Sequence, residues 1–211
     1  MHRQPTSSGA GHPRVIPANE YVRMRWRNGA GWTRAILQAD RTGADTGTDA
    51  PDWDWRLSIA EIEQPGPFSR FPGVERELVL LQGDGLALHF DDGREQVLQP
   101  PHGRYRFRGE DAVQGVPVAG IVHAFNLMWR RETVSAELWH RPLVGPMVVF
   151  VDPGSCWAAH LVAGDARIDG DAALPPMAQG DTAVLLSNGG RARYVIEGGG
   201  EVLLVRITAP G

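Results

Sequence analysis

The chain has no lysine, so arginine supplies all 21 of its basic residues. Nor does it have a basic excess, the formal net charge being −4. A surface that grips a phosphate backbone needs such an excess, so nucleic acid is not an expected partner. Cysteine is nearly missing. Cys156 stands alone, which excludes an intramolecular disulfide and fits a reducing compartment. Between Ser155 and Trp157 it reads as a buried structural thiol rather than a nucleophile. No apolar run approaches the ~20 residues that a membrane span needs. The first twenty residues contain no apolar leader core. No membrane partner is therefore expected, and a cytoplasmic location is the default.

Catalytic signatures are also missing. Metal sites on small β barrels commonly use two histidines at alternate strand positions, because alternation points both side chains to one face. The seven histidines here are scattered, and none has another at i+2 or i+4. No resident metal or cofactor is expected, and His89 and His123 are ligands only if folding brings them together. No Gly-x-Ser-x-Gly elbow, phosphate-binding loop or dinucleotide fingerprint occurs. No catalytic residue is assigned.

What is present is glycine, proline and short strands. Gly 26 and Pro 16 suit many tight turns. Residues 1–13 read as a disordered leader and 41–52 as an exposed, mobile loop. Trp53–Ile62 alternates, with Trp55, Leu57, Ile59 and Glu61 on one face and Asp54, Arg56, Ser58 and Ala60 on the other. Further strands are expected at 77–82, 86–90, 95–98, 105–107, 116–123 and 125–129. A second set follows at 137–142, 147–151, 155–162, 166–168, 182–186, 191–197 and 201–207, with Gly198, Gly199 and Gly200 as a hairpin. Pro-Pro corners near Gly103 and Gly180 echo each other, which favours two barrels made by duplication. The expected units are 14–135 and 136–211, intimately packed with strand exchange allowed. Open sheet edges allow a homodimer.

Polar and aromatic residues concentrate in the first half. Arg25, Trp26, Asn28, Thr33 and Arg34 combine guanidiniums, an amide and a hydroxyl around flexible glycines. Arg56 and Ser58 share a strand face. Phe68 and Ser69 lie in a rigid proline-bounded loop, with Arg76 beyond, and Phe125, Asn126 and Met128 place an amide among apolar groups. Each residue also has a plain structural use, as core filler or turn holder. As a set they point to a pocket for a small polar ligand.

These segments resemble the HutD/Ves family in order and spacing. Residues 25–33 match its Arg-Trp-Lys/Arg-Asn-Gly-Gly-Gly-x-Thr opening. Residues 54–60 match Asp-Trp-Arg-Leu-Ser-Ile-Ala, 66–73 match Gly-Pro-Phe-Ser-x-Phe-x-Gly, and 125–128 match a Phe-Asn-Val-Met type segment. The resemblance implies an all-β double cupin-like barrel, or bicupin, in one compact chain. It also implies a non-catalytic protein that binds a small carboxylate such as N-formylglutamate and tempers histidine catabolism or a stress response. The alternative is a cupin enzyme, metal-free or metal-dependent, that isomerises or hydrolyses a small polar metabolite. Ala30, Ala35 and Ala124 depart from the family's usual Gly, Glu and Asp. Two acids are thereby lost near the expected pocket, so donors are expected in excess there and the expected partner is a small anionic metabolite.

Overall fold

The computed structural model describes residues 12–40, 52–170 and 174–210. The expected leader and the loop at 41–52 lie almost wholly outside the described residues. The described chain is nearly all β, its only helical element being a 3-10 turn at Ala18–Glu20. The strands are β1 (Arg14–Ile16), β2 (Val22–Arg25), β3 (Gly31–Asp40), β4 (Trp53–Ile62), β5 (Gly66–Pro67), β6 (Val74–Gln82), β7 (Leu86–Phe90), β8 (Glu95–Leu98), β9 (Arg104–Arg108), β10 (Val113–Pro117) and β11 (Val122–Arg130). They continue with β12 (Ser135–Val144), β13 (Met147–Val151), β14 (Cys156–Asp169), β15 (Met177–Ala178), β16 (Thr182–Leu186) and β17 (Ala192–Thr208). None of the described helical residues forms a helix long and apolar enough to cross a membrane.

The chain forms two compact units. The first, Val22–Thr133, holds a six-stranded sheet, β2-β3-β4-β11-β6-β9, and a four-stranded sheet, β5-β10-β7-β8. One core joins their inner faces: Ile62, Leu78, Leu80 and Phe107 come from the larger sheet, and Leu86, Leu88, Leu98 and Val113 from the smaller. Such a two-layer arrangement follows from strands that are apolar on alternate positions. β4 occupies the span that its alternation predicts, Trp53–Ile62.

The second unit consists of residues 12–21 and 134–210 and carries a seven-stranded sheet along β1-β16-β14-β17-β12. Residues 14–21, expected in the first barrel, therefore belong here. β1 pairs with β16, and Tyr21 donates its hydroxyl to the Gly180 carbonyl at 2.7 Å. Asp181 adds a clamp by accepting from the Ala18 and Ala178 amides, both at 2.8 Å.

Two strand expectations need correction. The apolar run 116–123 is not one strand, because β10 ends at Pro117 and Gly120, at φ 59°, turns the chain into β11. The three glycines at 198–200 are not a hairpin either. They lie inside the 17-residue β17, paired with Ala166, Asp165 and Gly164 of β14. The strands cross too closely there for side chains: a Cβ on Gly164 would lie 1.8 Å from the Gly199 carbonyl oxygen, and one on Gly200 would lie 1.9 Å from that of Ala163. Glycine here serves backbone approach within a sheet. The duplication echo weakens accordingly, since β14 runs straight through the expected turn after Val162.

Candidate functional site

Residues paired directly across neighbouring strands point to the same face. In the first unit this register builds three adjacent rows on the inner face of the large sheet. The first row is Thr33, Ala60, Ala124 and Leu80. The second is Ala35, Ser58, Asn126, Leu78 and Tyr105. The third is Gln38, Arg56, Met128, Arg76 and Phe107. A bulge between Ala35 and Leu37 inserts one residue, which restores Gln38 to the side of Arg56.

The third row sets Arg56 and Arg76 on either side of Met128, their backbones about 10 Å apart by the usual strand spacing. Arg76 is only 6% exposed. Its guanidinium carbon lies 5.1 Å from the ring centres of both Phe68 and Phe107. Nη1 donates to the Ser69 carbonyl at 3.4 Å, while Nε is buried without a hydrogen-bond partner. Among the described residues no acid is paired with it. Burial, and then the charge of Arg56, bring its pKa down to about 10. Arg56 is also held below the usual guanidinium value by burial, with Asp52 opposing the shift. Its Nε too is buried and unpartnered, as is Asn126 Oδ1 in the next row.

Above these groups, Trp26 donates from Nε1 to Thr33 Oγ1 at 2.8 Å and meets Phe68 edge to face, ring centres 6.0 Å apart. Small residues at Ala35, Ser58, Ala60 and Ala124 separate this aromatic end from the arginine row. The structure thus brings together Trp26, Thr33, Arg56, Ser58, Phe68, Arg76, Asn126 and Met128.

It does not gather the rest. Arg25 and Arg34 are not in this set, because strand alternation sends them to the opposite face of the hairpin that carries Trp26 and Thr33. Arg25 Nη1 donates to Glu63 at 2.8 Å and Nη2 to the Gly29 carbonyl at 2.7 Å, and the guanidinium lies over Trp32 at 4.8 Å. Arg34 Nε lies 2.7 Å from Glu61 Oε1. The other oxygen of that buried carboxylate accepts from Arg23 Nε at 2.8 Å. Phe125 is fully buried on the same outer face, in register with Ile59 and Val79. Asn28 holds the turn: its Oδ1 accepts from the Ala30 amide at 3.1 Å and its Nδ2 donates to the Pro67 carbonyl at 3.2 Å. Ser69 is exposed and contributes only its carbonyl.

Sequence reasoning missed Phe107, which flanks Arg76, and Asp54, which shares the face of Arg56 and has a buried unpartnered Oδ1. The alternation of β4 already placed Asp54 there. The excess of donors is therefore smaller than expected. Acceptors at Asn126 and Asp54 stand beside the guanidiniums.

The histidines considered as ligands stand apart. His89 Nδ1 lies 3.0 Å from Glu95 Oε1 on the exposed part of the small sheet. His123 pairs across to Glu61 of β4, and burial, with the charge of Arg34 next, holds its pKa below the usual histidine value. A groove of about 480 Å³ also runs beside β9, but its Arg94 is neutralised by Asp92 at 2.7 Å and Asp111 at 3.1 Å. In the second unit Cys156 is half-buried rather than buried as expected, and desolvation still pushes its thiol up to about 12. Its thiolate fraction at pH 8 is then about one in ten thousand. Ellman's reagent is expected to leave the folded protein unlabelled and to label one thiol per chain once it is denatured. Rapid labelling of the folded protein would contradict that upward shift.

An all-β chain of two compact units belongs to the double cupin-like class. Solved structures agree: a bacterial pirin from Escherichia coli in complex with nickel(II) has a TM-score of 0.65 at 11% identity, covering 95% of this chain and 100% of that one. More narrowly, the HutD family model matches residues 18–204, and the chain belongs to the HutD family. HutD from Pseudomonas fluorescens SBW25, solved in a formate condition, has a TM-score of 0.78 at 29% identity over 94% of this chain and 100% of that chain. A 21.2 kDa protein of the hutC 3′ region in Pseudomonas putida is 36% identical over 124 residues, 59% of this chain and 62% of that protein. Protein Ves from Escherichia fergusonii is 32% identical over 162 residues, 63% of this chain and 76% of that protein.

Proposed function

We propose that this chain is a non-catalytic binding protein for a small carboxylate, held on the inner face of the first unit by Arg56 and Arg76. The carrying observation is the two guanidiniums of one row, Arg76 buried and Arg56 half-buried, each with a buried and unpartnered Nε. A buried charge is costly unless it is paired, and arginine is suited to gripping a carboxylate with parallel hydrogen bonds. The ligand's carboxylate offsets that cost. The relatives' names, HutD and a protein of the hutC region, support a role beside histidine catabolism, with an N-formylglutamate-like acid as ligand. In that role the protein binds an intermediate in the cytoplasm and tempers the pathway rather than performing a step.

Thermal-shift titration with N-formylglutamate, urocanate, glutamate and formate tests this. A ligand at about 100 times its Kd adds about 2.7 kcal/mol of stability. At least one of the four is expected to do so, and Arg56→Ala is expected to lose the effect. No shift with any of them, or a full shift retained in Arg56→Ala, would sink the proposal.

A further inference from the structure

The second unit presents a surface of different chemistry from the first. Trp139 of β12 and Trp157 of β14 stack with ring centres 5.7 Å apart and planes 18° from parallel. Both pack against the apolar core of their unit, yet both stay only partly buried. The register explains why they meet. Trp139 stands opposite Leu204 of β17, and Trp157 stands opposite Arg206, two residues along the same strand and on the same face. A buried indole N–H usually finds an acceptor in the protein. Trp26 and Trp32 find theirs in Thr33 and Glu63. Neither Trp139 nor Trp157 has an acceptor for its indole N–H among the described residues, so both donors are left to solvent or a ligand.

The charges beside these rings are already matched. Arg206 Nη2 donates to Glu137, its register partner on β12, and the guanidinium carbon lies 5.9 Å from the Trp139 ring centre. Two residues on, and on the same face, Thr208 pairs with Ser135. The patch thus joins an aromatic surface to a neutralised ion pair and two hydroxyls. An anion would meet the charge of Glu137 and a guanidinium already engaged. A wholly apolar ligand would strip water from the ion pair and give no hydrogen bond in return. A sugar ring meets both demands. Its C–H face suits the electron-rich indole face, and its rim of hydroxyls both donates and accepts. We infer that Trp139 and Trp157, with Arg206 and Glu137, form a second binding site whose ligand is a neutral pyranose. The ring lies on the exposed indole surface. Its hydroxyls donate to Glu137 and accept from Arg206 and the indole N–H groups.

The test is titration of the full chain, labelled with ¹⁵N-tryptophan, with the methyl β-glycosides of glucose, galactose and mannose. At least one glycoside is expected to move the indole N–H signals of Trp139 and Trp157 saturably, with a millimolar Kd. The signals of Trp26 and Trp32 should stay in place, since their N–H groups are already bonded. Sorbitol, which carries the hydroxyls without the flat ring, should move neither of the first two. Trp157→Ala is expected to weaken binding about ten-fold or more, read at the Trp139 signal. Arg206→Met serves if that variant does not fold. No saturable movement with any glycoside would overturn the inference, and so would an equal response to sorbitol. Full binding retained in both variants, or binding of adenosine in place of the glycosides, would overturn it as well.

Discussion

Replacing Arg76 by methionine is expected to raise the melting temperature of the ligand-free protein while abolishing its stabilisation by a carboxylate. Arg76 is buried, its Nε has no partner, and the like charge of Arg56 acts against its own. Exchanging buried charged groups for well-packed apolar residues of similar volume is often neutral or stabilising, by up to about 4 kcal/mol. Methionine is unbranched and fills the slot between Phe68 and Phe107 with a polarisable sulfur in place of a cation. At about 2–4 °C per kcal/mol for a chain of this size, a rise of several degrees follows in the apo protein. The same change removes half of the anion grip, so added ligand no longer shifts the transition. Differential scanning calorimetry with and without ligand measures both effects. A fall in apo stability together with intact ligand stabilisation would show that Arg76 is a structural residue held by its aromatic neighbours.

The second large effect lies in the other unit. Gly164→Ala is expected to destabilise the protein by about 3–5 kcal/mol, the sum of left-handed backbone strain and steric overlap. Gly164 sits at φ 86°, and an added Cβ would lie 1.8 Å from the Gly199 carbonyl oxygen, which is backbone and has no rotamer to swing away. Gly189 provides the control. At φ 111° it carries similar strain, but an added Cβ meets nothing within 4 Å. Gly189→Ala should cost about 1–2 kcal/mol. Urea denaturation of the two variants separates the terms. Equal losses would show that β14 and β17 can part at no cost, contrary to the close crossing.

These cases show which parts of the molecule were legible in the sequence. β4 was read to the residue because apolar and polar positions alternate from Trp53 to Ser58, although from Leu57 onward both faces are buried. The same alternation told which β4 side chains share the inner face, including Asp54. The motif from Arg25 to Arg34 misled because contiguity in sequence is not a shared face. Period two sends Thr33 inward and Arg34 outward, and Glu61 and Glu63 then provide partners for the outer arginines. The fusion of residues 116–123 came from an apolar run in which Pro117 and Gly120 were the only breakers. The glycine triplet at 198–200 carries the composition of a turn, and only its partners on β14 reveal that it is a crossing. Phe107 was out of reach for a different reason. It meets Arg76 across a pairing of β6 with β9, and no local pattern encodes that register.

The loss of acids at Ala35 and Ala124 keeps its meaning in part. Both alanines lie in the rows that the register places on the inner face, so the positions matter. They do not make the face purely cationic, because Asp54 and Asn126 supply acceptors beside Arg56.

The central claim is that Arg56 and Arg76 together hold the acid, and the guanidinium resonances read this directly. In the protein labelled with ¹⁵N-arginine, titration with N-formylglutamate is predicted to move the Nε–H signals of Arg56 and Arg76 saturably and with one common Kd. The signals of Arg25 and Arg34 should stay in place, since Glu63 and Glu61 already engage them. Saturable movement confined to the outer arginines, or none at any arginine, would contradict the account.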